Sequence, residues 1–200
     1  MNSFQEAVTQ RRSIYKLGRN IPVLQSQIMA TIERMTKDVP SPFNMESSRV
    51  VVTMLDHHEN VWDITRSALK KIVPEEKFAP TEEKISGFEA AYGTILFYEE
   101  SDTIYEMQKK FPLYADNFPI WAAQSNGMLQ FAIWTALEDM GLGVNIQHYN
   151  MLIDEDVKKI FDIPGSWDLV AQMVFGEVLE QPAPIEKLST GERVKIFRRV

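Results

Sequence analysis

Trp134-Thr135-Ala136-Leu137-Glu138-Asp139-Met140-Gly141-Leu142-Gly143-Val144-Asn145-Ile146-Gln147-His148-Tyr149-Asn150 joins two kinds of periodicity. Upstream of it, Trp121, Met128, Phe131, Ala132, Trp134 and Leu137 place apolar side chains on more than one face of a helix running from about Tyr114 or Ile120 to Met140. Such a helix is deeply buried. Gly141 stands where a left-handed helix terminator is wanted, and after Gly143 the residues Val144-Asn145-Ile146 read as a strand. Asp154 to Phe161 then reads as a helix, Pro164-Gly165 as a turn and Leu169 to Gly176 as a further strand. A buried helix passed between strands in this order predicts an α+β fold with an antiparallel or mixed sheet.

The same alternation extends toward the N-terminus. Phe4 to Arg12 reads as a short helix, and Leu24 to Asp38 as a second one carrying Ile28, Ile32 and Met35, stopped by Pro40 and Pro42. Arg49 to Leu55 and Tyr92 to Tyr98 are nearly continuous apolar runs, expected as central strands covered on both faces, with helices at Asn60 to Ile72 and Glu82 to Ala90 between them. Beyond Gly176, Gln181-Pro182-Ala183-Pro184 is a stiff spacer and Val194-Lys195-Ile196-Phe197 alternates like a lone strand. The expected organisation is one domain over residues 1–180 and an arm over residues 181–200. The arm either returns to its own sheet or completes that of a neighbour in a homodimer with reciprocal exchange.

Charge narrows the function. With 21 Lys and Arg against 28 Asp and Glu, a net charge of -7 repels polyanions, which argues against a nucleic-acid partner. The absence of cysteine excludes disulfides and thiolate chemistry, and three histidines make a poor case for a metal. No run of 18 apolar residues and no signal-like N-terminal segment is visible, so no membrane partner and a cytoplasmic location are expected. Against that acidic background stand two basic clusters, Arg11-Arg12-Ser13 and Arg193-Val194-Lys195. Guanidinium forks, a hydroxyl and an ammonium together suit one phosphate monoester, although such clusters are also ordinary solvated surface.

Arg11-Arg12-Ser13 after a first helix, Pro42-Phe43-Asn44-Met45-Glu46 before the first long strand, Gly141-Leu142-Gly143 closing a long helix and a basic C-terminal strand occur in an order that resembles the FMN-dependent nitroreductase family. Phe111-Pro112-Leu113-Tyr114-Ala115-Asp116-Asn117-Phe118-Pro119 and Gly143 to Asn150 resemble its small fungal and bacterial branch, which includes copper-induced and fatty-acid-response members. The resemblance implies a mostly antiparallel sheet flanked by helices, a dimer with exchanged arms, and FMN in each of two interface clefts. By similarity Arg11, Arg12 and Ser13 grip the phosphate or ribityl chain, and Arg193 and Lys195 complete the phosphate cage. Tyr15 departs from the basic residue that relatives often carry there. The loop with Ser41, Asn44 and Glu46 reaches the flavin from the second subunit. Glu46, where many relatives have Gln, accepts but does not donate hydrogen bonds when ionised, which implies a lowered flavin potential.

Lys84, Gln147 and His148 are expected beside the flavin ring, and Phe111, Tyr114 and Phe118 along the substrate cleft, while Met128 and Trp134 read as core. The activity implied is hydride transfer from NAD(P)H through flavin N5 to nitroaromatics or quinones in ping-pong fashion, with no catalytic side chain of its own. No Gly-x-Gly-x-x-Gly fingerprint is present, consistent with a nicotinamide that only visits the flavin. Two other readings stay open: an FMN-binding regulatory or redox-sensing protein, and a flavin-free structural domain.

Overall fold

The computed structural model describes residues 3–198; residues 1–2 and 199–200, the outermost ends of the expected domain and arm, lie outside it. Helix α1, Phe4–Gln10, opens on a capping box in which Ser3 Oγ accepts from the Glu6 N–H and the Glu6 carboxylate accepts from the Ser3 N–H. Strand β1, Leu17–Gly18, helix α2, Gln25–Asp38, and strand β2, Ser48–Met54, follow. Helices α3, Asp56–Lys70, and α4, Ala79–Glu89, precede strand β3, Gly93–Glu100. Helix α5, Ser101–Lys110, and a 3-10 segment, Pro112–Asn117, lead into helix α6, Phe118–Asp139. Strand β4, Gly143–Gln147, helix α7, Asn150–Phe161, strand β5, Trp167–Val178, and a short helix α8, Thr190–Arg193, complete the order.

Strand β5 is the axis of the sheet. It pairs antiparallel with β3 along one edge and, over the same residues, with β4 along the other, while its last residues meet β1. Strand β2 pairs antiparallel with β3 and ends the sheet. The expectation of two central strands therefore holds for β3, which is buried almost throughout, and fails for β2, an edge strand with mostly half-buried side chains. A β-branched run records what packs on a strand's two faces and says nothing of neighbours along its two edges.

Alternation along β3 divides the core. Ile95 and Phe97 join Ile28, Leu129, Ile133, Leu137 and Met173 on the face covered by α2 and α6. Leu96 and Tyr98 point the other way, toward α3 and α7, with Val61, Ile153 and Val157. Helix α6 buries Leu129, Ile133 and Leu137 against the sheet and Phe118 and Ala122 in a separate cluster with Met45, while Trp134 packs half-buried at the sheet core's margin. Met128, expected in the core, is 45% exposed on the opposite side together with Ile120 and Phe131. Helix α6 ends in a Schellman motif: the Leu142 N–H donates to Leu137 O and the Gly141 N–H to Glu138 O, with Gly141 at φ 89°.

After β5 the arm runs over the outside. Residues Val194, Ile196 and Phe197 are exposed and form no strand within the single chain. Residues Thr190–Arg193 are helical instead, opened by a second capping box between Ser189 and Glu192. No described helix is long and apolar enough to cross a membrane.

Candidate functional site

Gly143 lets the segment after α1 close on β4. A β-carbon there would lie 2.5 Å from Leu17 Cδ2 and 3.1 Å from Ile14 Cγ2, so a larger residue would have to displace these side chains. In the space it leaves, Ser13 bridges Val144 in parallel and the Ile14 N–H donates to Val144 O at 2.9 Å. The Asn145 side-chain amide donates to Ile14 O and that of Gln147 to Asn145 Oδ1, each at 2.9 Å. Arg11, Arg12 and Ser13 are thereby lined up with Gln147 and His148 along one sheet edge, Gln147 buried and His148 exposed. Lys84 on α4 comes to the end of this edge, its Nζ 6.0 Å from the Tyr149 ring and 5.6 Å from that of Phe88.

The two arginines are held differently. The Arg11 guanidinium lies over the Trp134 ring at 4.3 Å, with its Nη1 buried and without a hydrogen-bond partner. The Arg12 guanidinium instead donates to Ala183 O at 2.6 Å, which ties it to the arm. Beneath both sits Glu138. Its Oε2 accepts from the Arg12 backbone N–H at 2.8 Å and its Oε1 from the Trp134 indole N–H at 2.6 Å. Burial raises its carboxyl to about 6, with the two hydrogen bonds and the nearby Arg11 and Arg12 charges opposing.

At the other edge of the sheet, the loop before β2 carries strained backbone. Phe43, Asn44 and Glu46 have φ of 57°, 52° and 52°, a region that costs a non-glycine residue about 1 kcal/mol or more. Local hydrogen bonds hold it: the Glu46 N–H donates to Ser41 Oγ at 2.9 Å, and the Asn44 amide donates to the Glu46 carboxylate at 2.9 Å. Arg49 donates to the Glu46 carbonyl and not to its carboxylate. From below, the buried Glu99 carboxylate accepts from Ser47 Oγ at 2.5 Å, Ser48 Oγ at 2.6 Å and Asn126 Nδ2 at 2.8 Å. The result presents Phe43, 49% exposed, against Phe111, Phe118, Trp121 and Tyr114, with ring centroids 4.7 to 5.9 Å apart.

Phe118 is wholly buried in this cluster, so it supports the aromatic wall from behind and does not line it; Tyr114 is exposed and Phe111 half-buried. The loop and the Arg11–Ser13 segment are separated by β4, β5 and β3, four strand spacings or about 19 Å. Arg193 and Lys195 stand exposed on the arm, and among the described residues no hydrogen bond or ion pair joins them to Arg11 or Ser13. One chain thus gathers the candidate residues into two candidate half-sites, with Arg193 and Lys195 apart from both.

A model of the nitroreductase family matches residues 8–177. The chain belongs to the nitroreductase family. This nitroreductase is 34% identical over 197 residues to nitroreductase FRM2 of Saccharomyces cerevisiae, an alignment covering 98% of the chain and 97% of FRM2. Its fold matches that of nitroreductase CinD from Lactococcus lactis in complex with chloramphenicol, with a TM-score of 0.90 and 36% identity over 98% of the chain and 100% of CinD. CinD has also been solved with 4-nitrophenol, at a TM-score of 0.89 and 37% identity over the same shares. A more distant FMN and NADPH-dependent nitroreductase, NfnB from Sphigopyxis sp., shares the fold at 15% identity and a TM-score of 0.72 over 98% of the chain and 99% of NfnB. The nitroreductase is therefore an oxidoreductase of the small fungal and bacterial branch, with the α+β, mostly antiparallel fold that its motifs predict.

Two residues that shape the nitroreductase's half-sites do not stand out in the sequence, Glu99 and Glu138, and Trp134 reads there only as core. Only Glu138 left a readable signal: with Asp139 it makes two adjacent acidic residues at the C-terminal end of α6, which has no basic residue in its last turn. That placement opposes the helix dipole.

Proposed function

We propose that the chain is an FMN-dependent oxidoreductase that passes hydride from NAD(P)H to electron-poor acceptors such as nitroaromatics or quinones, acting as a homodimer. The observation that carries this reading is the buried Arg11 Nη1, without a hydrogen-bond partner, on the segment whose Ser13 backbone bridges the β4 edge. A buried guanidinium nitrogen without a partner costs free energy unless an anion completes it, and a phosphate monoester supplies acceptors in the right number. The donor chemistry along this edge therefore fits FMN. Arg11 and Ser13 would hold the phosphate, with Arg193 and Lys195 brought in by the arm. Gln147, His148 and Lys84 would flank the ring. Arg12, engaged with Ala183 O, anchors the arm and leaves the phosphate to Arg11.

The second half-site supports a dimer. A two-fold copy can bring the Ser41–Glu46 loop of one subunit over the Arg11 edge of the other, two places that three strands separate within one chain. Ser41, Asn44 and Glu46 then offer polar groups, the Asn44 amide being oriented by the Glu46 carboxylate. Phe43, Phe111 and Tyr114, backed by Phe118, offer flat apolar surface to an aromatic acceptor. One relative, CinD, solved in complex with chloramphenicol and with 4-nitrophenol, supports an acceptor of that shape. When bound, the flavin supplies the two-electron transfer through N5, and one substrate leaves before the other enters. The chain's own part is to bind, orient and keep the ring dry.

The test is anaerobic. Protein saturated with FMN is expected to lose its yellow colour on addition of NADH or NADPH and to recover it with a nitroaromatic, and Arg11→Ala is expected to bind FMN at least tenfold more weakly, the equivalent of about one charge-assisted hydrogen bond. Protein that takes up no FMN, or an Arg11→Ala variant with undiminished affinity, would sink the reading.

A further inference from the structure

Helix α6 closes on Glu138-Asp139, two carboxylates at the negative end of a 22-residue helix whose last turn contains no Lys or Arg. Each costs about 0.3 to 1 kcal/mol there, so an acidic residue needs a compensating role. For Glu138 the structure displays one. Both carboxylate oxygens are used, on the Arg12 backbone N–H and the Trp134 indole N–H, across 126 residues of sequence in the first case. Trp134 is in turn the surface on which the Arg11 guanidinium lies. Among the described residues no ion pair within 4.0 Å joins Glu138 to either guanidinium, so the carboxylate fixes the turn without occupying the fork of Arg11.

We propose that Glu138 is a positioning residue for the phosphate-binding turn, fixing the Arg12 backbone directly and the Arg11 guanidinium through the Trp134 ring, so that Arg11 Nη1 stays available to the phosphate of FMN. This rests on the flavin reading above. It assigns the carboxylate an indirect role whose sign is diagnostic. As a charge alone, Glu138 would repel a phosphate, and removing it would tighten binding; as a positioning group, removing it loosens binding.

The experiment compares FMN with riboflavin, which has the same ring and ribityl chain but no phosphate. Apo-protein is titrated with each and the quenching of flavin fluorescence gives Kd. In Glu138→Gln the side chain keeps its size but can accept from only one of the two donors. FMN affinity is expected to fall about tenfold, the equivalent of one charge-assisted hydrogen bond, with riboflavin affinity unchanged within about twofold. Trp134→Phe, which keeps a ring under Arg11 and removes the indole N–H, is expected to shift FMN in the same direction by less, and it serves if Glu138→Gln does not fold. Tighter FMN binding, no change, or an equal loss for both ligands would overturn the proposal. A wild-type protein that binds riboflavin and FMN equally would remove the phosphate site itself, and one that binds neither would remove the flavin reading with it.

Discussion

The orientation of a buried histidine follows from counting donors. His58 Nε2 lies 3.2 Å from the Glu89 carbonyl, which only accepts, so Nε2 carries the hydrogen. The Trp62 indole N–H donates to Thr94 Oγ1 at 3.0 Å, and that hydroxyl passes its own hydrogen to His58 Nδ1 at 2.9 Å. The neutral ring satisfies every group in the chain, and a second ring proton would face the Thr94 hydroxyl with nowhere to direct that hydroxyl's hydrogen. Burial, aided by the Arg19 charge, pulls His58 down to about 4 from its ordinary 6.5. The unfolded chain then binds more protons between those values, so this contribution to stability is complete above pH 6.5 and is lost as pH falls toward 4, about 3 kcal/mol in all. Glu138, raised to about 6, acts oppositely and over a narrower window, destabilising as pH rises from its ordinary 4.5. The urea midpoint of the wild type is expected to fall between pH 6.5 and 4 more steeply than that of His58→Gln; parallel curves would remove His58 as the cause. None of this was legible in the sequence, where a helix expected from Asn60 left both adjacent histidines outside. The true helix begins at Asp56 because Leu55 turns the chain at φ 54°, a conformation that no residue preference assigns to leucine.

Among the elements, those with a strong apolar period were legible and those held by polar contacts were not. Helices α2 and α6, the stop at Gly141, and β3 to β5 follow from spacing, since each buries a regular face in the core. Helix α5 went unseen because it buries no residue completely and only Ile104 and Met107 reach the aromatic cluster. The Ser41–Glu46 loop was recognisable by its motif, yet the Ser47-Ser48 end of it is anchored by Glu99, one residue beyond the strand read as Tyr92 to Tyr98. That anchoring has a measurable consequence. Glu99→Ala leaves the buried Ser47 hydroxyl without its partner and costs about 2 kcal/mol. The loss is expected in urea unfolding, together with faster proteolysis within residues 41–48. An unchanged unfolding midpoint would show that the aromatic contacts of Phe43 suffice to hold the loop.

At the scale of the molecule, the residues proposed for the phosphate and the flavin ring could be named from the sequence, but the division of the candidates between opposite sheet edges could not, because sequence order does not say which strand is last. That division, together with three uncovered apolar surfaces, argues for association. A groove of about 650 Å³ runs beside the open edge of β2, walled by Ile32, Val39, Val50, Val52 and Leu129. The outer face of α6 exposes Ile120, Met128 and Phe131, and the arm exposes Val194, Ile196 and Phe197. An edge strand with free backbone groups beside an apolar groove takes an extended segment, and the alternating Val194–Phe197 has the pattern to fill it. Its own chain ties the arm near Ala183 to Arg12, on the far side of the sheet from β2. In the proposed dimer a second copy would supply the segment symmetrically, each arm filling the other's groove. Sedimentation velocity is therefore expected to give twice the chain mass for the full chain. A chain ending at Glu180 is expected to sediment as a monomer at micromolar concentration and, having lost Arg193 and Lys195, to bind FMN more weakly while riboflavin binding falls only as far as loss of the second subunit's loop requires. A truncated chain that still dimerises with undiminished affinity would place the interface on α6 alone and return the arm to its own subunit.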